Sequence, residues 1–344
     1  MKSKVIVTGG SGYIGSHTVI ELIQSGFNVV IFDNLSNSQE FIIDRIEQIT
    51  GIKPMFEKVD LANEHEADKA YQKHSDADSI INFAAYKAVG ESVKKPMMYY
   101  KNNLYALINS IEAQKKYNIQ NFIFSSSATV YGDPSSLPIT EDLQTQRAFS
   151  PYGNTKKMAE EILEDFNRSY KDFKTISLRY FNPVGAHSSG MIGELPNGVP
   201  NNLLPYLTQC AAGILKELQV FGDDYQTKDG TAIRDYIHVV DLAKAHVKAL
   251  ERLLNQKEDT NFEIFNLGTG NGYTVLDIIK TFEKVANKEL NYKIVGRRDG
   301  DVEALYASTN KAKDKLFWEA QLDLETMIRS SWNWEQAYRK NGSF

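Results

Sequence analysis

The chain has 344 residues, which is long for one small core and makes two domains the starting expectation. Its 42% hydrophobic and 24% charged content is ordinary for a globular protein and excludes a disordered, collagenous or disulfide-rich chain. Lys and Arg total 39 against 44 Asp and Glu, for a formal charge of -5, so nucleic acid and anionic membranes are not expected partners.

Cys210 is the only cysteine and cannot form an intrachain disulfide or head a Cys-rich metal cluster. We read it as a small buried residue, and the six histidines, including His187 and His238, show no metal-ligand spacing. No metal is therefore expected. The opening Met1 to Lys4 leads into an apolar run too short for a signal or membrane segment, which makes the reducing cytoplasm the default location.

Strands and helices alternate from residue 4 to about residue 180. A strand over 5–7, a glycine turn over 9–15, a helix to Gly26 and a strand over 29–32 form a first βαβ unit. Apolar runs recur at 55–59, 79–83, 121–125 and 175–180, separated by polar helical stretches. This order predicts an α/β fold with a doubly wound parallel (Rossmann) sheet covered on both faces.

The pattern changes after Tyr180, where glycines and prolines break the chain into loops before a helix near 203–213. We expect a boundary there, with one domain over 1–180 and a smaller domain over 181–344. The helix after His238 and the strand Phe262 to Leu267 suit a sheet. Pieces near 236–268 are therefore expected to return to the first domain, which makes the second one discontinuous.

The glycine-rich loop TGGSGYIG at 8–15 follows the first strand and opens a helix. It satisfies G-x-G-x-x-G from Gly10 and G-x-x-G-x-x-G from Gly9, a context in which a dinucleotide's pyrophosphate approaches the backbone and the free N–H groups of the helix. Asp33 ends the next strand, 18 residues after Gly15, where a carboxylate accepts hydrogen bonds from the adenosine ribose and repels a 2′-phosphate. The pattern favours NAD over NADP.

Asp60 ends the third apolar run at Val59-Asp60-Leu61. Two roles are open for it. It lies at a strand's carboxyl end, where it would contact adenine, or it caps a helix that begins at Leu61.

The stretch SPYGNTK at 150–156 reads as a helix start, with Ser150 as N-cap and Pro151 at the first position, so Tyr152 and Lys156 share one face at i and i+4. An ammonium and an oxidised nicotinamide near a phenol both favour the phenolate and bring its pKa towards neutrality. Such a pair is also common on purely structural helices. Upstream, a strand ends in three serines at 125–127, any of which could share the reacting proton or merely cap a turn.

These motifs together resemble the extended short-chain dehydrogenase/reductase family, and most closely its UDP-glucose 4-epimerase branch. The likeness covers nearly the whole length. It is carried by TGGSGYIGSHT near the start, KAVGESVKKP at 87–96, FIFSSSATVYG at 122–132, RYFNPVGAH at 179–187, VPNNLLPY at 199–206, RDYIHVVDLA at 234–243 and RRDGDV at 297–302.

The resemblance implies a homodimer that inverts C4 of a UDP-hexose through a transient 4-keto sugar and tightly bound NAD. Tyr152 is then the acid/base, Lys156 its partner and ribose contact, and Ser127 the third catalytic residue. The implied cofactor site contains Gly9, Gly12, Tyr13, Ile14, Gly15, Asp33, Asn34, Asp60, Leu61, Phe83, Lys87, Asn102, Tyr152, Lys156 and Tyr180. The implied UDP-sugar site contains Ser127, Tyr152, Asn182, Asn202, Leu203, Phe221, Arg234, Arg298, Asp301 and Leu305. Two guanidinium groups can neutralise a diphosphate on an otherwise acidic protein.

The chain departs from the family pattern at two places. Ala85 and Tyr86 stand where such epimerases often carry Gly and a smaller apolar residue. Leu305 occupies the position whose bulk controls the room around the sugar's C2 substituent, so a UDP-N-acetylglucosamine 4-epimerase or a dual-specificity enzyme is an open alternative.

Other readings of the same fold are a uronate epimerase, a nucleotide-sugar 4,6-dehydratase and a non-catalytic NAD-binding regulator. The dehydratases typically carry an Asp-Glu pair after the catalytic hydroxyl, whereas Ala128 and Thr129 follow Ser127 here. The intact Tyr152, Lys156 and Ser127 argue against a regulator.

Overall fold

A computed structural model gives the structure of residues 3–298 and 300–340. The strands are β1 (Lys4–Thr8), β2 (Asn28–Asp33), β3 (Met55–Lys58), β4 (Ser79–Asn82), β5 (Asn121–Ser127), β6 (Lys174–Tyr180), β7 (Asn182–Val184), β8 (Leu218–Phe221), β9 (Ile233–Arg234), β10 (Tyr236–His238), β11 (Phe262–Leu267), β12 (Tyr273–Thr274), β13 (Tyr292–Val295) and β14 (Ala304–Leu305). The helices are α1 (Tyr13–Gln24), α2 (Phe41–Thr50), α3 (Glu64–Lys73), α4 (Val89–Lys94), α5 (Pro96–Lys116), α6 (Pro151–Ser169), α7 (Leu203–Ala211), α8 (Val239–Leu254), α9 (Val275–Ala286) and α10 (Leu324–Lys340), with a 3-10 helix at Ala128–Tyr131 and a π-helix at Ala312–Leu316.

In the described part of the chain, seven strands form one parallel sheet in the order β11-β6-β5-β4-β1-β2-β3. The order reverses between β1 and β4, and the carboxyl ends of these strands meet at one edge. Ligands of open α/β sheets bind in the crevice at such a reversal. The predicted doubly wound parallel sheet is confirmed.

The first strand shows why the sheet is buried on both faces. Val5 and Val7 pack into one core with α1 and α8, while Ile6 packs into the other with α3, α5 and α6. Successive side chains of a strand point to opposite faces, so a strand covered on both sides reads as a continuous apolar run. All three side chains are fully buried.

The C-terminal half builds a separate core from α7, α9 and α10, around Leu207, Phe282 and Ile328. Small sheets join it: β7 with β10, β8 with β13, and β9 between β12 and β14. However, β11 pairs with β6 in the main sheet and α8 packs on α1. The division into two domains near residue 180 stays a prediction.

The apolar runs locate the strands to within two residues, and the helix expected near 203–213 is α7. No helix among the described residues is both long and apolar enough to cross a membrane.

Candidate active site

The loop between β1 and α1 needs glycine at two positions. Gly9 has φ +68°, and a Cβ added there would lie 2.9 Å from the backbone nitrogen of Ala84, in the loop after β4. A Cβ on Gly15 would lie 2.2 Å from the carbonyl oxygen of Gly9. Side chains at these positions would push the loop out of the cradle it forms at the sheet's reversal.

The N-terminus of α1 is open to an anion. Its N-cap, Gly12, makes no side-chain cap, and the first turn carries no acidic residue. The first backbone N–H groups of a helix have no partner within the helix and, with the helix dipole, favour a phosphate. This cradle and Asp33 fit the pyrophosphate and adenosine ribose of NAD.

Asp33 ends β2 beside the glycine loop. Its carboxylate accepts hydrogen bonds from the backbone N–H groups of Ser11 (3.1 Å) and Leu35 (2.9 Å) and from the hydroxyl of Ser38 (3.1 Å). A carboxylate fixed there accepts ribose hydroxyls and repels a 2′-phosphate.

One of the two roles left open for Asp60 is wrong. The next helix, α3, begins only at Glu64, and Asn63 is its N-cap. Asp60 instead closes a short turn by accepting a hydrogen bond from the N–H of Ala62 at 3.0 Å, a conformation that Asp side chains readily stabilise. Leu61 is buried, inside this turn rather than in a helix.

Two aromatic residues expected to line the cofactor meet at His246. The ring of Phe83, just after β4, lies 4.8 Å from the His246 ring, and the hydroxyl of Tyr180, at the end of β6, hydrogen-bonds to the same ring. Asn102, on α5, donates to the side-chain oxygen of Asn103 at 3.1 Å. Asn34 accepts a hydrogen bond from the backbone of residue 36.

The helix start at SPYGNTK is confirmed. The hydroxyl of Ser150 accepts a hydrogen bond from the N–H of Gly153 at 3.1 Å, and α6 begins at Pro151. Tyr152 and Lys156 are therefore one turn apart. The ammonium of the buried Lys156 donates to the backbone carbonyl of Ser125 at 2.5 Å, which ties α6 to the end of β5.

The three serines that end β5 differ in what they contact. The Ser127 hydroxyl oxygen accepts hydrogen bonds from the backbone N–H (3.3 Å) and the hydroxyl (3.0 Å) of Thr129, so its own proton remains available to donate. Loss of hydration raises the pKa of Tyr152 to about 12, and a hydrogen bond with Ser127 acts in the opposite direction. Ser125 contributes its carbonyl, and the buried hydroxyl of Ser126 has no partner in the described part of the chain. The geometry brings Ser127 and Tyr152 together.

Lys156 carries a charge in a buried position. Burial lowers the pKa of its ammonium to about 8, and the carboxylate of Glu160, one turn further along α6, acts to raise it. Glu160 is itself buried and held by Arg179 (2.7 Å) and by the hydroxyl of Ser177 (2.8 Å). Near pH 7 the ammonium is therefore still mostly protonated.

Five residues expected at the UDP site form one cluster. Asp301 receives two hydrogen bonds from Arg298, at 2.9 and 3.1 Å, and lies 3.5 Å from the guanidinium of Arg234. The Arg298 guanidinium lies 5.4 Å from the ring centre of Phe221, at the end of β8. In the β9–β14 pair, Leu305 is in register with Arg234. Two guanidinium groups share one carboxylate, which leaves a net positive charge for a diphosphate.

Within the RRDGDV stretch, Asp299 lies outside the described residues.

The remaining expected UDP residues lie on neighbouring elements. Asn182 begins β7, and its backbone N–H donates to the carbonyl of Asp235 at 2.9 Å. Asn202 is the N-cap residue of α7, which begins at Leu203, yet its side chain makes no cap. Its amide instead donates to Glu194 at 2.8 Å.

The buried histidines have local roles. The ring of His17 contacts the carbonyl of Tyr13 at 2.7 Å, and His238 accepts a hydrogen bond from the N–H of Val240 at 3.1 Å. Burial lowers the pKa of His17 to about 3 and that of His238 to about 4. Over residues 3–298 and 300–340, no group of three or more His, Cys, Asp or Glu side chains is arranged to hold a metal ion.

Sequence reasoning missed three residues that organise the site. Asn103 bonds to both backbone groups of Tyr86 and to the hydroxyl of Thr155 on α6. Asp235 is fully buried, and its carboxylate accepts the backbone N–H groups of residues 269, 270 and 307, which holds the end of β14 near β9. Glu194 bonds to Asn202. Asp235 follows Arg234 in the RDY stretch and could have been found there, but the other two are isolated polar residues with no local signal.

The chain is similar to known proteins over nearly its whole length. The family model described as GDP-mannose 4,6 dehydratase matches residues 6–331. The UDP-glucose 4-epimerase of Bacillus subtilis (strain 168) is 50% identical over 333 residues, 97% of each chain. The solved UDP-glucose 4-epimerase from Bifidobacterium longum, in complex with NAD+ and UDP, has a TM-score of 0.94 and 46% identity, covering 99% of this chain and 100% of that one. The one from Stenotrophomonas maltophila, with bound NAD and formylated UDP-arabinopyranose, has a TM-score of 0.95 and 45% identity at the same coverage.

Proposed function

The chain belongs to the UDP-glucose 4-epimerase family of extended short-chain dehydrogenases/reductases, and from that premise we propose that Tyr152 is the acid/base of an NAD-dependent enzyme interconverting UDP-glucose and UDP-galactose. One observation carries this assignment: the Ser127 hydroxyl, at the end of β5, lies close enough to Tyr152 to lower the pKa of the phenol, and Lys156 lies one helical turn from Tyr152 on α6. The residues that follow Ser127 are Ala128 and Thr129, so the acid pair that a 4,6-dehydratase needs is missing here.

We assign the proton transfer to Tyr152, on α6, and Ser127, at the end of β5. The Tyr152 oxygen takes the proton of the sugar's 4-hydroxyl group as C4 is oxidised, and returns it when C4 is reduced on the other face. Ser127 has one hydroxyl proton, and it donates that proton as a hydrogen bond to the sugar oxygen while charge develops there. The protonated Lys156 stabilises the phenolate electrostatically. When bound, NAD supplies the reversible two-electron oxidation, and the reaction has no net redox change.

The diphosphate must stay anchored while the 4-keto sugar rotates about its bonds to the diphosphate and presents its other face to the cofactor. Arg234 and Arg298 suit this task because planar guanidinium groups bind phosphate oxygens in a forked arrangement. The Asp301 carboxylate keeps both in place. Phe221 offers an aromatic face beside Arg298 for the uracil ring.

The experiment that tests the function supplies UDP-galactose, and separately UDP-N-acetylgalactosamine, to purified protein without added NAD. NMR then follows formation of the C4 epimer. Conversion of the first substrate supports the proposal and indicates that the cofactor is retained during purification. Conversion of both would show that Leu305 leaves room for an acetamido group. No conversion of either, even with NAD supplied, contradicts the proposal.

We also propose a homodimer formed through α4, α5 and α6, which pack together. Four large apolar side chains on α4 and α5 are exposed by 48 to 64%: Val89, Val93, Met97 and Tyr105. Exposed apolar side chains on two helices that pack together indicate a protein interface. Light scattering should give twice the chain mass, and Val93→Glu with Met97→Glu should give a monomer. A monomeric unmodified protein contradicts the proposal.

We propose a cytoplasmic location, because the chain has one cysteine, Cys210, and so cannot form the intrachain disulfides that are typical of proteins in oxidising compartments. Cell fractionation tests this directly, and recovery of the protein outside the cytoplasm would contradict it.

A further inference from the structure

Glu194 joins two residues that are expected to bind different ligands. Its Oε1 atom accepts a hydrogen bond from the ammonium of Lys87 at 2.9 Å and another from the side-chain amide of Asn202 at 2.8 Å. The Glu194 side chain is only 11% exposed. Lys87 is expected at the cofactor and Asn202 at UDP, so a single carboxylate oxygen lies between the two.

The backbone around Glu194 is fixed from the C-terminal side. Its carbonyl accepts a hydrogen bond from the indole N–H of Trp334, on α10, at 3.0 Å. A Cβ on the preceding Gly193 would lie 2.5 Å from the same indole ring, so the chain packs directly on it. The carboxylate is therefore held in place by the fold and not only by its two partners.

The contact decides which way the Asn202 amide faces. A carboxylate can only accept hydrogen bonds, so the NH2 group of Asn202 must point at Glu194. An Asn at an N-cap position normally turns its oxygen to the N–H groups of the first helical turn. Asn202 makes no such bond, and the first-turn N–H groups of α7, which begins at Leu203, are left without a side-chain cap.

The Lys87 contact holds the carboxylate from the other side. Lys87 lies 5.7 Å from the ring centre of Tyr13, the first residue of α1, and neutralises the Glu194 charge. Burial first, and the nearby Glu194 carboxylate second, raise the pKa of Tyr13, whose hydroxyl donates to the carbonyl of Gly185 at 2.6 Å. Glu194 thus lies at the junction of the glycine loop and α7.

We propose that Glu194 is a positioning residue for UDP-sugar binding: it holds the Asn202 amide away from the start of α7, so that the N–H groups of that turn stay open to the ligand. This inference rests on the proposed function. Without Glu194, Asn202 is free to cap its own helix, and the ligand must then displace that cap. The cost of displacing one N-cap corresponds to about a fivefold loss of affinity.

Two substitutions of Glu194 distinguish its effect on the orientation of the Asn202 amide from the effect of its negative charge. Both hydrogen bonds go to one oxygen, so the side-chain oxygen of Glu194→Gln can accept the same two bonds, whereas Glu194→Ala can accept neither. Calorimetry with UDP on the purified holoenzyme should give a Kd within about twofold of the unmodified protein for Glu194→Gln and about fivefold higher for Glu194→Ala. KM for UDP-galactose should follow Kd while kcat stays within about twofold, because Glu194 contacts none of Tyr152, Ser127 or Lys156.

A double-mutant cycle tests whether the effect of Glu194→Ala on the Kd for UDP depends on Asn202. In an Asn202→Ala background no side chain is left to cover α7, so adding Glu194→Ala should change the Kd for UDP by less than about twofold. Equal affinity of Glu194→Ala and the unmodified protein overturns the inference, as does an equal loss in the Gln and Ala variants, or a loss that persists in the Asn202→Ala background. Failure of the unmodified holoenzyme to bind UDP at all would instead refute the proposed function.

Discussion

Replacing Lys156 by Met should slow the reaction at pH 7 by about 100-fold and move the acid limb of the pH profile of kcat upward by about 2 pH units. The Cβ atoms of residues one helical turn apart lie about 6 Å from each other, and we take this as the separation of the two charged groups. At that distance and an effective dielectric constant of about 20, one positive charge stabilises a phenolate by about 3 kcal/mol, or about 2 pKa units. The pKa of Lys156 is lowered to about 8, so its ammonium is mostly charged at pH 7. Its loss raises the pKa of the Tyr152 phenol and leaves less phenolate.

The assay measures kcat with saturating UDP-galactose from pH 6 to 10, together with thermal unfolding to verify the fold. Lys157→Met is the matched control, because Lys157 is the next residue on α6 and its ammonium lies 3.8 Å from Glu161 instead. It should leave kcat and the limb unchanged. A Lys156→Met variant whose acid limb lies at the same pH as that of the unmodified protein would refute the electrostatic reasoning. An unchanged kcat would refute the role of Lys156 altogether.

Three further changes test other parts of the site. Gly15→Ala places a Cβ 2.2 Å from the carbonyl oxygen of Gly9, so the purified variant should release little or no NAD on denaturation. Release of a full complement of NAD would contradict the proposal that the glycine loop binds the pyrophosphate. Glu160→Gln leaves the buried Arg179 without its anion and should lower the free energy of unfolding in urea by roughly 3 to 5 kcal/mol, part of which the Glu160→Gln, Arg179→Met double variant should restore. Unaltered stability of the single variant would show that the pair is not needed. Arg234→Met should raise the Kd for UDP by about tenfold or more, since a partly buried charged hydrogen-bond donor is lost, and calorimetry that finds no change would remove Arg234 from the site.

Local patterns were sufficient to predict the sheet and the catalytic helix. Val5 to Val7 read as a buried parallel strand because both faces are covered, and the glycines after them mark the turn. The spacing of Tyr152 and Lys156, after a Ser-Pro start, put both on one face of α6. Spacing alone could not choose among the three serines, since the distinction rests on the hydrogen bonds that Ser127 accepts from Thr129 and on its effect on the pKa of Tyr152.

Contacts between distant segments could not be predicted. Lys87, Glu194 and Asn202 meet through the fold, and none of them follows a pattern that points to the others. Asp60 shows the opposite failure, in which a local signal was misread. An Asp before an apolar residue resembles an N-cap, but the side chain closed a turn and Asn63 took the cap instead.

The central claim is that C4 of the sugar is oxidised and then reduced by the same hydrogen. UDP-galactose carrying deuterium at C4 tests it most directly, with the product read by NMR after conversion in ordinary water. The account predicts UDP-glucose that keeps the deuterium at C4, because the hydrogen never exchanges with solvent while Tyr152 carries only the hydroxyl proton. Product with ordinary hydrogen at C4 would mean inversion by proton exchange at carbon and would contradict the account.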